Sequence, residues 1–320
     1  MITKYRNLVI GCDGTWNDAN DGDLSEGDAV PASNVVKLLL ACLDNDYQET
    51  HYEEGVGTAF RESAPGGMWG HGLDRQILGA YRFLRKRYND EAFDTSRNRI
   101  FVFGFSRGAY AARRLAGFVS ECGVTSNPAD DSEAWEAYKN RDSDKIRYLK
   151  ENGKLFAVDI EMIGVWDTVK STLDESFDDY DLPDRVSAAY HAMSIDEKRK
   201  FFPVLKWHQD RRISQIWFSG VHADIGGGYP ERGLSDITLR WMIDKACGHG
   251  LRVKSHPMEE LKDDSGGKAH DSFTSIWKPF GEYVRHIEPG EKIHQSVQER
   301  IQRVAQYRPA NIPNSAKYIA

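Results

Sequence analysis

Residues 100–117 read IFVFGFSRGAYAARRLAG, an apolar strand that stops at a serine between two glycines and runs straight into a helix of small residues. That juncture constrains the fold more than any other stretch. A strand that turns into a helix within one residue fits a parallel sheet with helices on its faces, and it lifts the serine onto the sheet's carboxyl edge. Similar apolar runs recur at NLVIGCD (7–13), AVDIEMIGVWD (157–167) and ISQIWFSGVH (213–222). Between the first run and the serine, Leu73, Ile77, Tyr81 and Leu84 fall at helical spacing. Strands alternating with helices predict an α/β fold with a mostly parallel central sheet and helices on both faces. The polar stretches 126–154 and 171–212 read as helical insertions forming a cap, so the 320 residues are expected to make a single domain with two insertions. ESAPGGMWGHG (62–72) and DDSGGKAH (263–270) read as loops.

Gly104, Phe105, Ser106, Arg107 and Gly108 satisfy the pattern G-x-S-x-G in the strand–turn–helix setting that it requires. The serine takes a strained backbone there, and Gly104 and Gly108 keep the incoming strand and outgoing helix from clashing. A serine hydroxyl is a weak nucleophile until a base takes its proton, usually a histidine oriented by a carboxylate. Of the ten histidines, His222 ends an apolar strand and enters the glycine-rich turn SGVHADIGGGY. Asp167 ends the strand EMIGVWD and suits the orienting role, which gives the chain order Ser106, Asp167, His222. Asp224 is the alternative carboxylate, but two residues from His222 it would struggle to reach the Nδ1 side of the ring. The oxyanion donors are expected to be the backbone N–H of Arg107 and one from the turn after the first strand, at Gly14 or Thr15, with Asp13 orienting that turn. The same VIGCDGT invites comparison with phosphatases that use a D-x-D-G-T loop, but Gly11 stands where their nucleophile would be.

Composition narrows the partners. A net charge of -7 and pI near 5.8 argue against nucleic acid or an anionic membrane as a main partner. No apolar run approaches the roughly 20 residues of a membrane-spanning helix, and the first residues are too short in apolar length for a cleaved signal. The expectation is a cytoplasmic protein, with signal-independent export left open and peripheral membrane contact undecided. The four cysteines are scattered without metal spacing and are expected to be buried thiols. The serine chemistry calls for no cofactor and no metal.

The motifs CDGTWND, EEGVGT, LDRQILGAYRFL, FGFSRGAYAARRLAG, IGVWDTV, YHAMSIDEKRKFF, WFSGVHADIGGGYPERGLSDITLRWM, IHQSVQERI and YRPANIP run in order along nearly the whole chain. In these the sequence resembles the α/β-hydrolase family called domain of unknown function 2235, which includes the catalytic part of the first class of type VI secretion lipase effectors. The resemblance implies a catalytic triad of Ser106, Asp167 and His222, from the GFSRGA, V-F/W-D-T-V and G-V-H-x-D motifs, and hydrolysis of carboxylic acyl esters, phospholipids among them. Effectors of this class carry extra segments that engage membranes, and no apolar helix of that kind is evident here. The expected partner is therefore a small-molecule or lipid acyl ester, with no secretion or immunity partner identifiable. An acyltransferase or thioesterase with the same triad stays open, as does a non-catalytic binding protein on the same fold.

Overall fold

The computed structural model describes residues 6–14, 31–55, 68–90, 98–170, 180–275 and 277–320. Its first half runs β1 (Arg6–Cys12), α1 (Asn34–Ala41), β2 (Gln48–Glu53), α2 (Met68–Tyr88), β3 (Asn98–Phe105), α3 (Arg107–Cys122), β4 (Val124–Thr125), α4 (Asp131–Lys139), α5 (Ser143–Glu151) and β5 (Leu155–Phe156). The second half runs β6 (Met162–Trp166), β7 (Ala189–Ser194), β8 (Ile213–Phe218), α6 (His222–Gly226), α7 (Gly233–Gly248), α8 (Ser255–Glu259), β9 (Lys292–His294), α9 (Gln295–Arg303) and β10 (Lys317–Ile319). Eight strands form one sheet in the order β10-β9-β8-β7-β6-β3-β1-β2. Every neighbouring pair in it is parallel.

The apolar runs are continuous because alternate residues serve opposite faces, and both faces are covered. Leu8, Ile10, Ile100, Val102, Ile163 and Val165 point into a core shared with α2 and α3. Val9, Phe101, Phe103 and Met162 point into a second core shared with α1 and α7. At the far edge Trp217, Ile287, Ile293 and Val297 make a smaller third cluster. Among the described residues no helix is long and apolar enough to cross a membrane. Cys12, Cys42 and Cys122 are buried thiols, whereas Cys247 is exposed near the end of α7.

Both expected insertions look different in three dimensions. Residues 126–154 supply α4, which packs against α2 and α3, and α5, which packs on α4. Arg85–Asp131 at 3.1 Å and Lys139–Asp74 at 2.9 Å tie α4 along α2, while Trp135 and Tyr138 pack on Phe118 of α3. The stretch 171–212 is not an insertion as a whole, because β7 within it is a central strand between β6 and β8. AYHAMS has none of the β-branched residues that usually announce a strand, and it is buried by its neighbours on both sides. Residues 171–179, part of that stretch, and 62–67, part of an expected loop, lie outside the described residues.

Candidate active site

Ser106 sits where β3 ends and α3 begins, with φ 60° and ψ -124°. Only Ser106, Arg141 and Asp167 combine a side chain with positive φ among the described residues. A non-glycine residue in that region is strained, and the surrounding structure must hold it there. The glycines explain how the turn closes. A Cβ at Gly104 would lie 2.5 Å from the Gly108 carbonyl oxygen, and one at Gly108 would lie 2.2 Å from that of Cys12 and 2.4 Å from that of Asp13. Bare backbone at these two positions lets α3 start directly against the ends of β3 and β1. The Ser106 hydroxyl does not cap its own helix, and only 7% of the residue is exposed.

Asp167 follows β6, the neighbour of β3, and is hydrogen-bonded into the same turn. The Ser106 N–H donates to the Trp166 carbonyl at 3.1 Å, and the Val169 N–H donates to the Ser106 carbonyl at 3.4 Å. The Asp167 carboxylate is fully buried and surrounded by donors. His222 Nδ1 lies 2.6 Å from Oδ2, the Ser194 N–H donates to Oδ1 at 2.9 Å, and Arg285 donates Nη1 to Oδ1 at 2.5 Å and Nη2 to Oδ2 at 2.9 Å. Burial by itself would raise this carboxyl, but Arg285 and His222 overcome it and hold Asp167 well below the usual carboxylate range. Next to it, the Thr168 N–H donates to Nε2 of His191 at 3.1 Å. Burial and the cation of Arg113 push His191 down to about 3, so it stays a neutral acceptor.

His222 opens α6 just beyond β8. Burial lowers its pKa, against the opposing pull of Asp167. Its ring stands between Phe105 at 4.7 Å and Phe202 at 5.2 Å between centroids, so the residue preceding Ser106 lies against the imidazole. Its backbone N–H donates to Oε2 of the buried Glu197 at 3.2 Å. Glu197 in turn accepts from Arg199 through both carboxylate oxygens at 2.9 Å, and from Ser272 at 2.9 and 3.0 Å. Although burial acts to raise it, Arg199 and, less strongly, His222 hold Glu197 below the ordinary range.

The remaining expected residues fall as follows. Asp224 faces away from the pair: it accepts the Val221 N–H at 3.0 Å and binds Nδ1 of His270 at 2.6 Å. That removes it as the carboxylate for His222 and makes it the anchor of the 263–270 loop. Asp13 does orient its turn, accepting from Ser33 at 2.5 Å and from Tyr52 at 3.2 Å. The Gly14 N–H, expected to face an oxyanion, instead donates to Oδ1 of the preceding Asp13 at 2.8 Å. Arg107 begins α3 immediately after Ser106, and burial brings its guanidinium down to about 10. Thr15 lies outside the described residues. Sequence reasoning missed Arg285, Glu197, Ser194 and His191. Glu197 and Arg285 carry no local motif of such a role, and only the closing of the fold gives them partners.

The parallel sheet with its strand–serine–helix elbow is the α/β-hydrolase fold. The chain belongs to the family described as T6SS, phospholipase effector Tle1-like, catalytic domain, whose model matches residues 6–245. The uncharacterized protein YEL023C of Saccharomyces cerevisiae is 28% identical over 234 residues, covering 62% of this chain and 32% of its own. A crystal structure of an uncharacterized protein from Pseudomonas aeruginosa shares the fold, with TM-score 0.50 and 19% identity over 81% of this chain and 47% of its own. The structure of the Tle1 effector bound to the VgrG spike from the type 6 secretion system matches with TM-score 0.39 and 18% identity over 72% of this chain and 52% of its own. The chain thus spans about a third to a half of the length of these proteins.

Proposed function

We propose that the chain is a serine hydrolase of carboxylic acyl esters in which Ser106 is the nucleophile, His222 the base and Asp167 its orienter. The observation that carries this reading is the buried His222–Asp167 pair at 2.6 Å, joined through hydrogen bonds of the Asp167 turn to a serine strained at φ 60°. Ser106 Oγ attacks the ester carbonyl carbon as its proton passes to His222 Nε2, while Asp167 holds the Nδ1–H and stabilises the imidazolium. The tetrahedral intermediate collapses as the alcohol leaves with the proton from His222, giving an acyl-serine that water cleaves by the same steps in reverse. The Arg107 N–H at the start of α3 is one candidate oxyanion donor. Thr15, two residues after Asp13 in the sequence, is the second candidate.

Two features favour an apolar acyl group. Phe105 and Phe202 flank the imidazole, and Trp277 stands 5.8 Å from Phe202, so the base works against an aromatic wall. The family's description names phospholipase effectors, and a lipid acyl ester satisfies both features. Labelling with a fluorophosphonate probe tests the reading: wild type should label and Ser106→Ala should not, with ester hydrolysis falling by roughly 10⁴-fold or more. Equal labelling of the two proteins, or none of either, defeats it.

A further inference from the structure

Among the described residues, four exposed apolar side chains lie together beside the His222 end of the sheet. Phe201 is 58% exposed, Phe280 49%, Val284 59% and Tyr283 36%. All four belong to two segments held side by side: Arg199 bridges Glu282 in an antiparallel pairing, and the Tyr283 N–H donates to the Lys198 carbonyl at 2.9 Å. The Phe202 N–H closes a tight turn on the Arg199 carbonyl at 3.0 Å, which leaves Phe201 at its tip. The rings then form a continuous series inward. Phe201 lies 5.3 Å from Phe280 and 6.4 Å from Trp277, Trp277 lies 5.8 Å from Phe202, and Phe202 lies 5.2 Å from His222. Scattered single apolar side chains on a surface need no explanation, but a contiguous aromatic ridge marks an interaction site.

The charges around the ridge indicate what covers it. Lys200 and Lys278, next in sequence to Phe201 and within one turn of Phe280, are exposed, and neither has an acidic partner among the described residues. Lys198 is neutralised by Glu282 at 3.0 Å, and Arg199 by Glu197 at 2.9 Å while it stacks on Phe202. In a chain of net charge -7, two unpaired lysines beside exposed aromatic rings form a local cationic rim around an apolar tip. Phe and Trp that sink into the headgroup boundary, ringed by lysines that meet anionic lipid, are the chemistry of a peripheral membrane anchor.

We propose that the Phe201–Phe280 ridge is a docking surface for an anionic lipid surface, seated so that an acyl chain passes along Trp277 and Phe202 to His222. The choice of a lipid occupant rests on the acyl-ester reading above. The ridge explains how a protein without a membrane-spanning helix among its described residues can engage a bilayer: it uses two turns brought together by the fold.

The test uses the full chain carrying Ser106→Ala, co-sedimented with phosphatidylcholine vesicles and with vesicles that also contain phosphatidylglycerol. The Ser106→Ala protein is expected to bind the anionic vesicles. Adding Phe201→Ser and Phe280→Ser is expected to weaken that binding by about tenfold per phenylalanine. Adding Lys200→Glu and Lys278→Glu is expected to cost about fivefold per lysine, from roughly 1 kcal/mol per basic residue at an anionic leaflet, and to remove the preference for phosphatidylglycerol. In the Ser106 background, fluorophosphonate labelling of both double variants should proceed at the wild-type rate, showing an intact fold. Unchanged vesicle binding by the ridge variant, or no binding by Ser106→Ala, overturns the proposal. So does a ridge variant whose only change is its oligomeric state in sedimentation velocity, because that makes the ridge a contact between copies. Vesicle binding through the ridge without labelling of Ser106 would uphold the docking surface and defeat the hydrolase reading.

Discussion

Asp167 must stay ionised in a site with no exposed surface, and the Arg285 guanidinium makes that possible by taking both its oxygens in a bidentate pair. The arrangement sets the charge seen by His222. With Asp167 shared between Arg285 and the imidazole, less of its negative charge favours the imidazolium, which agrees with a histidine held below its ordinary value mainly by burial. Removing the guanidinium therefore raises the His222 pKa. Because His222 in its proposed role as base works only when neutral, the acid limb of kcat/KM on a soluble ester should move to higher pH in Arg285→Met. That variant should also lose roughly 3–5 kcal/mol of stability, as a buried carboxylate loses its partner. Arg285→Lys restores the charge without the fork, so the limb should return while kcat stays low. An acid limb that is the same in all three proteins would show that Arg285 has only a structural role. The depressed Asp167 carboxyl itself contributes stability at neutral pH, which is lost as the pH falls below the carboxylate range.

At the scale of elements, the elbow depends on how closely α3 approaches β1. Gly108→Ala puts a methyl group 2.2 Å from the Cys12 carbonyl oxygen, which is backbone and cannot swing aside. The helix must shift, taking the Arg107 N–H with it. The expected cost is roughly 1–3 kcal/mol in urea unfolding, with a larger proportional loss in the rate of probe labelling, because a donor displaced by a fraction of an ångström stabilises an oxyanion poorly. Wild-type labelling in a destabilised Gly108→Ala would detach the elbow from the chemistry. The elbow was legible because its glycines, its serine and its small-residue helix are contiguous in sequence. β7 was not, because AYHAMS carries little strand propensity and becomes a strand only when β6 and β8 pair with it on either side.

At the scale of the molecule, the segment after residue 245 completes a site whose main residues precede it. Ser272 and Arg285 brace Glu197 and Asp167, and Tyr307 reaches Asp196, two residues beyond the end of β7, at 2.9 Å. Asp196 also accepts the Gly220 N–H at 2.7 Å. Burial pushes its carboxyl up to about 6, against the pull of those hydrogen bonds. Native Asp196 thus binds its proton more tightly than the unfolded chain does. Its contribution is fully present below the unfolded pKa of about 4 and is lost as the pH rises toward about 6. Asp196→Asn keeps the acceptor without the charge, so it should exceed wild type in urea stability by about 1–3 kcal/mol at neutral pH. The gap should close near pH 4, and a constant gap would show that ionisation of Asp196 is not its source.

What the sequence determined by itself was the parallel α/β architecture and the strand-end placement of Ser106, Asp167 and His222. These follow from local signals, because apolar runs, turn glycines and helical spacing act within a few residues of one another. The tertiary structure decided which carboxylate meets the histidine, turning Asp224 toward His270 and Asp167 toward His222. It also took the Gly14 N–H away from the site, brought Arg285 across 118 residues onto Asp167, and gathered Phe201 and Phe280 into one ridge. A charged or aromatic side chain in a polar stretch looks the same in sequence whether it ends in water or in the core. Its role depends on the partner that the closed sheet brings to it, and those partners are distant in the chain.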